Sequence, residues 1–308
     1  MADQPIFNSE NHIIVDRDLD VIPPSHIFSA LWQNAIHGQS STTIWLWERC
    51  NDYISDASGS ILHRPDCVEA VGRCTLTLNR LAHEVAAIQN LDPTITLLWS
   101  PSSVVLGHDH EYTLGVVYET ATFLGQPLGF VTEEKLADFA ATGKLPRPLG
   151  TTKVLILPQV THLPDTTRAG IEKLAASGIR IVVVGDSPTQ NDYRQPCVLK
   201  GTESLSRTSD SATLFPELLA RASTWNLPSV AGLTLATGKP AFGVEVRTAT
   251  LGNDRIVAIC NHLREPQTVA FTPAIQGVAT DLISGQILPA TFTVQPLKPL
   301  LITSPIAN

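Results

Sequence analysis

No two cysteines stand in a C-x-x-C pair, and the five present (Cys50, Cys67, Cys74, Cys197 and Cys260) are odd in number. That argues against a disulfide framework or a structural zinc knuckle. It fits buried free thiols in a reducing compartment, so a cytoplasmic protein is expected. Long apolar runs are missing as well, and nothing approaches the roughly 20 residues of a membrane-spanning helix. The opening Met1-Ala2-Asp3-Gln4-Pro5 has neither the basic stretch nor the apolar core of a secretory signal. Positive charge is scarce: 21 Lys and Arg face 29 Asp and Glu, a formal net charge of −8, with no basic stripe. A surface of that sign repels phosphate backbones and anionic lipid, so neither nucleic acid nor a membrane is expected as a partner.

Cofactor signals are equally absent. No glycine-rich phosphate loop follows the apolar run Ile95–Trp99, where Ser100-Pro101-Ser102-Ser103 stands instead. His108-Asp109-His110 lacks further ligands at metal-binding spacing and reads as a helix start, with Asp109 capping the unpaired amides. No cofactor and no metal are expected.

What the chain has is core material. Hydrophobic residues make up 43% and charged residues 16% of its 308 residues, enough for two or three packed units. The first fifty residues read as strand, loop, helix, strand. An extended run at 5–8 precedes a loosely amphipathic helix at 27–36 and the β-branched and aromatic run Thr42-Thr43-Ile44-Trp45-Leu46-Trp47, which together make one βαβ repeat. Residues 65–88 predict a helix, with Val71, Cys74, Leu78, Leu81, Val85 and Ile88 on one stripe. From 94 to about 185, strands at 95–99, 128–131, 153–157 and 180–184 alternate with helices at 110–124 and 165–177. That pattern implies a parallel sheet covered on both faces, flavodoxin-like in type. A further helix is expected at 214–222. Beyond residue 240, six short extended runs separated by turn chemistry such as Gly252-Asn253-Asp254 predict an antiparallel β-sandwich. The expected division is 1–92, 93–209, a helical linker at 210–239, and 240–308.

This order resembles the C-terminal part of the family 42 glycoside hydrolases, which are retaining β-galactosidases. Pro5-Ile6-Phe7-Asn8-Ser9-Glu10 resembles their seventh barrel strand, and Ile44-Trp45-Leu46-Trp47 the eighth. Residues 64–81 resemble the last barrel helix. Tyr112 through Gly125 and Lys153-Val154-Leu155-Ile156-Leu157-Pro158 resemble their Rossmann-like trimerisation domain. Asn261, Asp281-Leu282-Ile283-Ser284-Gly285 and residues 296–301 resemble their closing β-domain. The resemblance implies an α/β chain: a flavodoxin- or amidotransferase-like parallel sheet flanked by an incomplete (β/α)8 barrel remnant and a C-terminal β-sandwich. It also implies that Glu10 is the nucleophile, that Trp45 and Trp47 lie under a sugar ring, that the partner is a glycoside, and that the chain forms a homo-oligomer, a trimer first.

Retaining hydrolysis needs two carboxyl groups about 5–5.5 Å apart. The family's acid/base Asn-Glu pair has no match in this sequence, and general acid–base help is worth about 10²–10⁴-fold. The expectation is therefore a region that assembles but does not cleave sugars alone, the alternative being a glycosidase completed by oligomerisation. Trp45 and Trp47 have the same parity and would share one face of their strand. The bland readings are that Glu10 is a surface carboxylate and that the tryptophans cover the rest of the fold. Asn11, His12 and His37, near the same edge, read as ordinary polar groups. Amidotransferase-like chemistry needs a cysteine on a strained strand-to-helix turn, and none of the five cysteines stands at one. Gly185-Asp186-Ser187 lacks the Asp and His partners of a lipase and reads as a polar loop.

Overall fold

The computed structural model describes residues 6–14, 22–45, 47, 60–228, 232–235, 240–272 and 277–306. The chain divides into two compact units, one of 91–230 with 240–245 and the other of 2–90, 231–239 and 246–308.

The second unit begins with β1 (Ile6–His12), α1 (Pro24–Ile36) and β2 (Gln39–Trp45). The strands pair in parallel, and together they make a two-stranded sheet. Gly38, at φ +104°, makes the left-handed turn from α1 into β2 that a side chain would resist. Next come α2 (Pro65–Arg80) and α3 (Ala82–Gln89), where the apolar stripe had suggested one helix. Leu81 breaks the ladder at φ −106° and ψ 25°, yet its side chain stays buried. The stripe therefore continues across the break, which is why the periodicity did not reveal it. Cys50 and Leu46 lie outside the described residues. The other four cysteines are free and buried, and burial pushes the Cys74 thiol up to about 12. Such thiols are inert packing groups.

The first unit is a parallel sheet of β3 (Ile95–Trp99), β4 (Leu128–Thr132), β5 (Val154–Pro158), β6 (Arg180–Val184) and β7 (Glu203–Leu205), in the order β4-β3-β5-β6-β7. This is the flavodoxin-like order, with its topological switch point between β3 and β5. Its helices are α4 (Pro101–Leu106), α5 (His110–Thr122), α6 (Glu133–Thr142), α7 (Asp165–Ala176) and α8 (Ser211–Ala222). Strand residues alternate between two cores. Ile95, Leu97, Val154, Ile156, Val182 and Val184 pack with α5 and α8, whereas Leu98, Leu155, Leu157, Ile181 and Val183 pack with α6 and α7. Each fully buried aliphatic side chain contributes about 1.5–3 kcal/mol relative to exposure. That is why near-continuous Val, Ile and Leu runs specify a sheet covered on both faces. Gly170 lets α7 approach α6, since a Cβ there would lie 2.2 Å from the Leu136 carbonyl oxygen.

The remaining strands are β8 (Gly232–Leu235), β9 (Val244–Leu251), β10 (Asp254–Asn261), β11 (Gln267–Thr272), β12 (Ala279–Asp281), β13 (Ile287–Leu288), β14 (Thr291–Val294) and β15 (Leu300–Pro305). They form sheets ordered β13-β12-β15-β10-β9 and β14-β11-β8, the expected antiparallel β-sandwich. Asp281 staples one of its turns. Its carboxylate accepts from the amides of Ile283, Ser284 and Leu301 and from the Ser284 hydroxyl. Asn261 staples another, donating to the Glu265 and Val294 carbonyls and accepting from the Leu263 amide.

Candidate functional site

The carboxyl end of the β1–β2 pair holds the residues that the sequence singled out. The register slips between Asn8 and Asn11, so Glu10 sits in an irregularity of the strand. Its amide donates to Asn8 Oδ1 at 3.1 Å, and its carboxylate lies 3.7 Å from His12 Nε2. Both side chains are open to solvent, at 63% for Glu10 and 47% for His12. The imidazole of His12 stands 5.9 Å from the Trp45 ring, and the two residues are register partners. Glu10, His12 and Trp45 thus share one strand end. Asn11, beside them, is buried, and its Nδ2 has no partner among the described residues; the same holds for the buried Thr42 hydroxyl on β2.

Trp45 is the last residue of β2, and Leu46, between it and Trp47, lies outside the described residues. Trp47 is 40% exposed, and its carbonyl accepts from the Ser60 hydroxyl and the Leu62 amide. His37 ends α1 and accepts from the Arg247 guanidinium at 2.9 Å.

A cavity of about 600 Å³ runs beside β2. It is lined by Thr42 and Ile44, by Leu31 of α1, and by Leu78, Val85 and Gln89 of α2 and α3. The Gln89 amide donates to the Ala35 and Gln39 carbonyls and so ties α3 to the α1–β2 turn.

A second polar cluster lies at the carboxyl edge of the parallel sheet, and sequence reading missed it. His110 is 1% exposed; its Nε2 accepts from the Ser100 amide at 3.0 Å and its Nδ1 donates to the Pro158 carbonyl at 2.6 Å. It bridges the ends of β3 and β5, where this topology usually opens a ligand crevice, and so plugs the switch point. Burial lowers its pKa below the ordinary 6.5, favouring the neutral ring whose Nε2 accepts from the Ser100 amide. Glu133, buried at the first turn of α6, accepts from the Ser100 and Ser102 hydroxyls at 2.5 and 2.8 Å, and burial raises its pKa above the ordinary 4.5. Asp109 does not cap α5 with its side chain. It lies in the left-handed region at φ 64°, and its carboxylate reaches Arg207 at 2.9 Å.

The strained turn after β5 does exist. Gln159 occupies it at φ 46°, the position where amidotransferase-like chemistry would need a cysteine. Its buried amide exchanges hydrogen bonds with the Asp186 carboxylate and amide. The elbow is present, and its side chain is a structural amide. Among the described residues, no group of three or more His, Cys, Asp or Glu is placed to hold a metal ion, and no helix is long and apolar enough to cross a membrane.

The fold of this chain is similar to parts of solved GH42 proteins. The apo exo-carrageenase GH42 from Bacteroides ovatus matches with a TM-score of 0.73 at 19% identity, over 98% of this chain and 42% of that one. A catalytic mutant of a GH42 β-galactosidase from G. stearothermophilus matches with a TM-score of 0.70 at 12% identity, over 99% and 55%. The β-galactosidase from Bacillus circulans sp. alkalophilus matches with a TM-score of 0.67 at 12% identity, over 98% and 55%. At these identities the likeness is one of fold, and the chain spans about half the length of the proteins it matches. No protein-family model matches the sequence, and no curated protein does.

Proposed function

We propose that this chain is the C-terminal region of a retaining glycoside hydrolase of family 42 type, that it serves assembly, and that it does not cleave glycosides by itself. The observation that supports this reading is the likeness over 98% of the chain to GH42 proteins of which it spans only 42% to 55%. The β1–β2 pair is two strands of a parallel sheet. Isolated parallel pairs leave unpaired edges, and the buried Thr42 hydroxyl and the Asn11 side-chain amide nitrogen have no hydrogen-bond partner among the described residues. Added βα units, supplied by more of the same polypeptide or by another, would satisfy both needs. Glu10 is then the nucleophile, and Trp45 and Trp47 face the sugar. The chain forms a homo-oligomer, with a trimer favoured, and acts in the cytoplasm, where thiols such as Cys67 and Cys260 stay reduced.

The second reading is a glycosidase completed by self-association. The cluster of Glu10, His12 and Trp45 at one strand end favours it. Nitrophenyl galactoside and glucoside separate the two. The first reading expects no turnover from the folded chain, while the second expects turnover that Glu10→Gln abolishes. Sedimentation at micromolar protein tests the trimer, and a monomer alone would remove it.

A further inference from the structure

We propose that a hollow of about 320 Å³ between α1, α2 and the turns of the β-sandwich binds a small organic anion, a phosphorylated or carboxylated monosaccharide. It is separate from the Glu10 strand end and does not depend on that end being catalytic. Its walls include Ser25 and Phe28 of α1, Arg73 and Thr77 of α2, and Leu297 and Lys298 of the loop before β15. Two cations facing one hollow are unusual in a chain of net charge −8, and they make it a local attractor for negative charge.

The hollow is also pre-shaped. The Arg73 guanidinium lies 5.8 Å over the Phe28 ring, a cation–π placement that holds its fork in position. Thr77 donates its hydroxyl proton to the Arg73 carbonyl, which leaves its oxygen free to accept from a sugar hydroxyl. Arg80 donates to the Leu282 and Ile283 carbonyls and pins that turn to α2, while Asp281 fixes the turn from within. Leu297 sits at φ 52°, a conformation that costs a bulky residue energy, and its amide is tied to the Asn261 carbonyl. Lys298 follows it and lines the hollow. Lys298 makes no ion pair among the described residues. Among the described residues Arg73 pairs with Glu69, at 3.8 Å with both side chains more than half exposed, and a contact of that kind yields readily to a better placed anion. The volume holds one hexose-sized body and its anionic group.

Titration calorimetry of the full chain at low salt tests the site with glucose 6-phosphate, galacturonate, glucose and inorganic phosphate. Binding of either sugar acid, with glucose silent and inorganic phosphate at least about tenfold weaker, is expected, and which acid binds identifies the anion. Arg73→Gln and Lys298→Gln should each weaken it about tenfold or more, with the melting temperature of the unliganded chain unchanged. Glu69→Gln should tighten it. The proposal is overturned if neither sugar acid binds at millimolar concentration, or if glucose or inorganic phosphate binds as tightly as the sugar acids. Affinity indifferent to Lys298→Gln, a change in a surface loop that folding tolerates, overturns it equally.

Discussion

His110 and Glu133 show how two buried titratable groups can be structural, and their burial gives them opposite pH signatures. The lowered pKa of His110 means that the unfolded chain binds its proton more readily. Its contribution to stability is complete above the ordinary 6.5 and fades as pH falls below it. Glu133 has a raised pKa, so its contribution is greatest below the ordinary 4.5 and declines as pH rises through the folded value. Melting followed from pH 4 to 8 should therefore lose a decline that sets in above pH 4.5 in Glu133→Gln and a fall that sets in below pH 6.5 in a His110 variant. His110→Ala should also cost about 2–4 kcal/mol, because it strands the buried Ser100 amide and Pro158 carbonyl, and denaturant unfolding reads that directly. Cys74, with its thiol pushed up to about 12, should resist iodoacetamide at pH 8 in the folded protein and react after unfolding.

Elements were legible where a long apolar period ran uninterrupted. Ile95–Trp99 and Arg180–Val184 stand where the runs of Ile, Leu and Val put them, because a strand covered on both faces has no other use for such residues. Short elements escaped. α6 buries only Leu136 and Phe139 among its apolar side chains, too few for a readable stripe, and β7 is three residues long. Ser100-Pro101-Ser102-Ser103, which stands in place of a phosphate loop, opens α4: Ser100 caps the helix by accepting from the Ser103 amide, and Pro101 stands at its first turn. Of the candidate site, the placement of Glu10 at a strand end was readable. The slip in register beneath it was not, since it arises from pairing with β2. His110 was unreadable as a bridge because both of its partners are backbone groups brought in by the switch of strand order. At this scale the contact between α6 and α7 is the sharpest test. Gly170→Ala forces a methyl against the Leu136 carbonyl and should destabilise the unit by about 1–3 kcal/mol, seen as a lowered melting temperature.

For the whole molecule the informative feature is which segments share a unit. Residues 2–90 and 246–308 belong together, and the flavodoxin-like unit of 91–230 with 240–245 is spliced between them. Contacts within the outer unit join residues more than two hundred positions apart, among them Arg80 to Leu282, Gln33 to His262 and Ser29 to Cys260. Truncation before β12 should therefore deprotect the amides of α1 and α2 in hydrogen exchange while those of β3, β5 and β6 stay slow; protection unchanged in α1 would contradict that dependence. The same splice has a bearing on synthesis. At about 5–20 residues per second, a ribosome takes roughly 10–30 s to travel from the end of the first segment into the β-sandwich. For that interval the partners that Ser29, Gln33 and Arg80 find at Cys260, His262 and Leu282 have yet to be made, so yield in a cell should depend on holdase chaperones guarding residues 2–90 until residues 246–308 emerge.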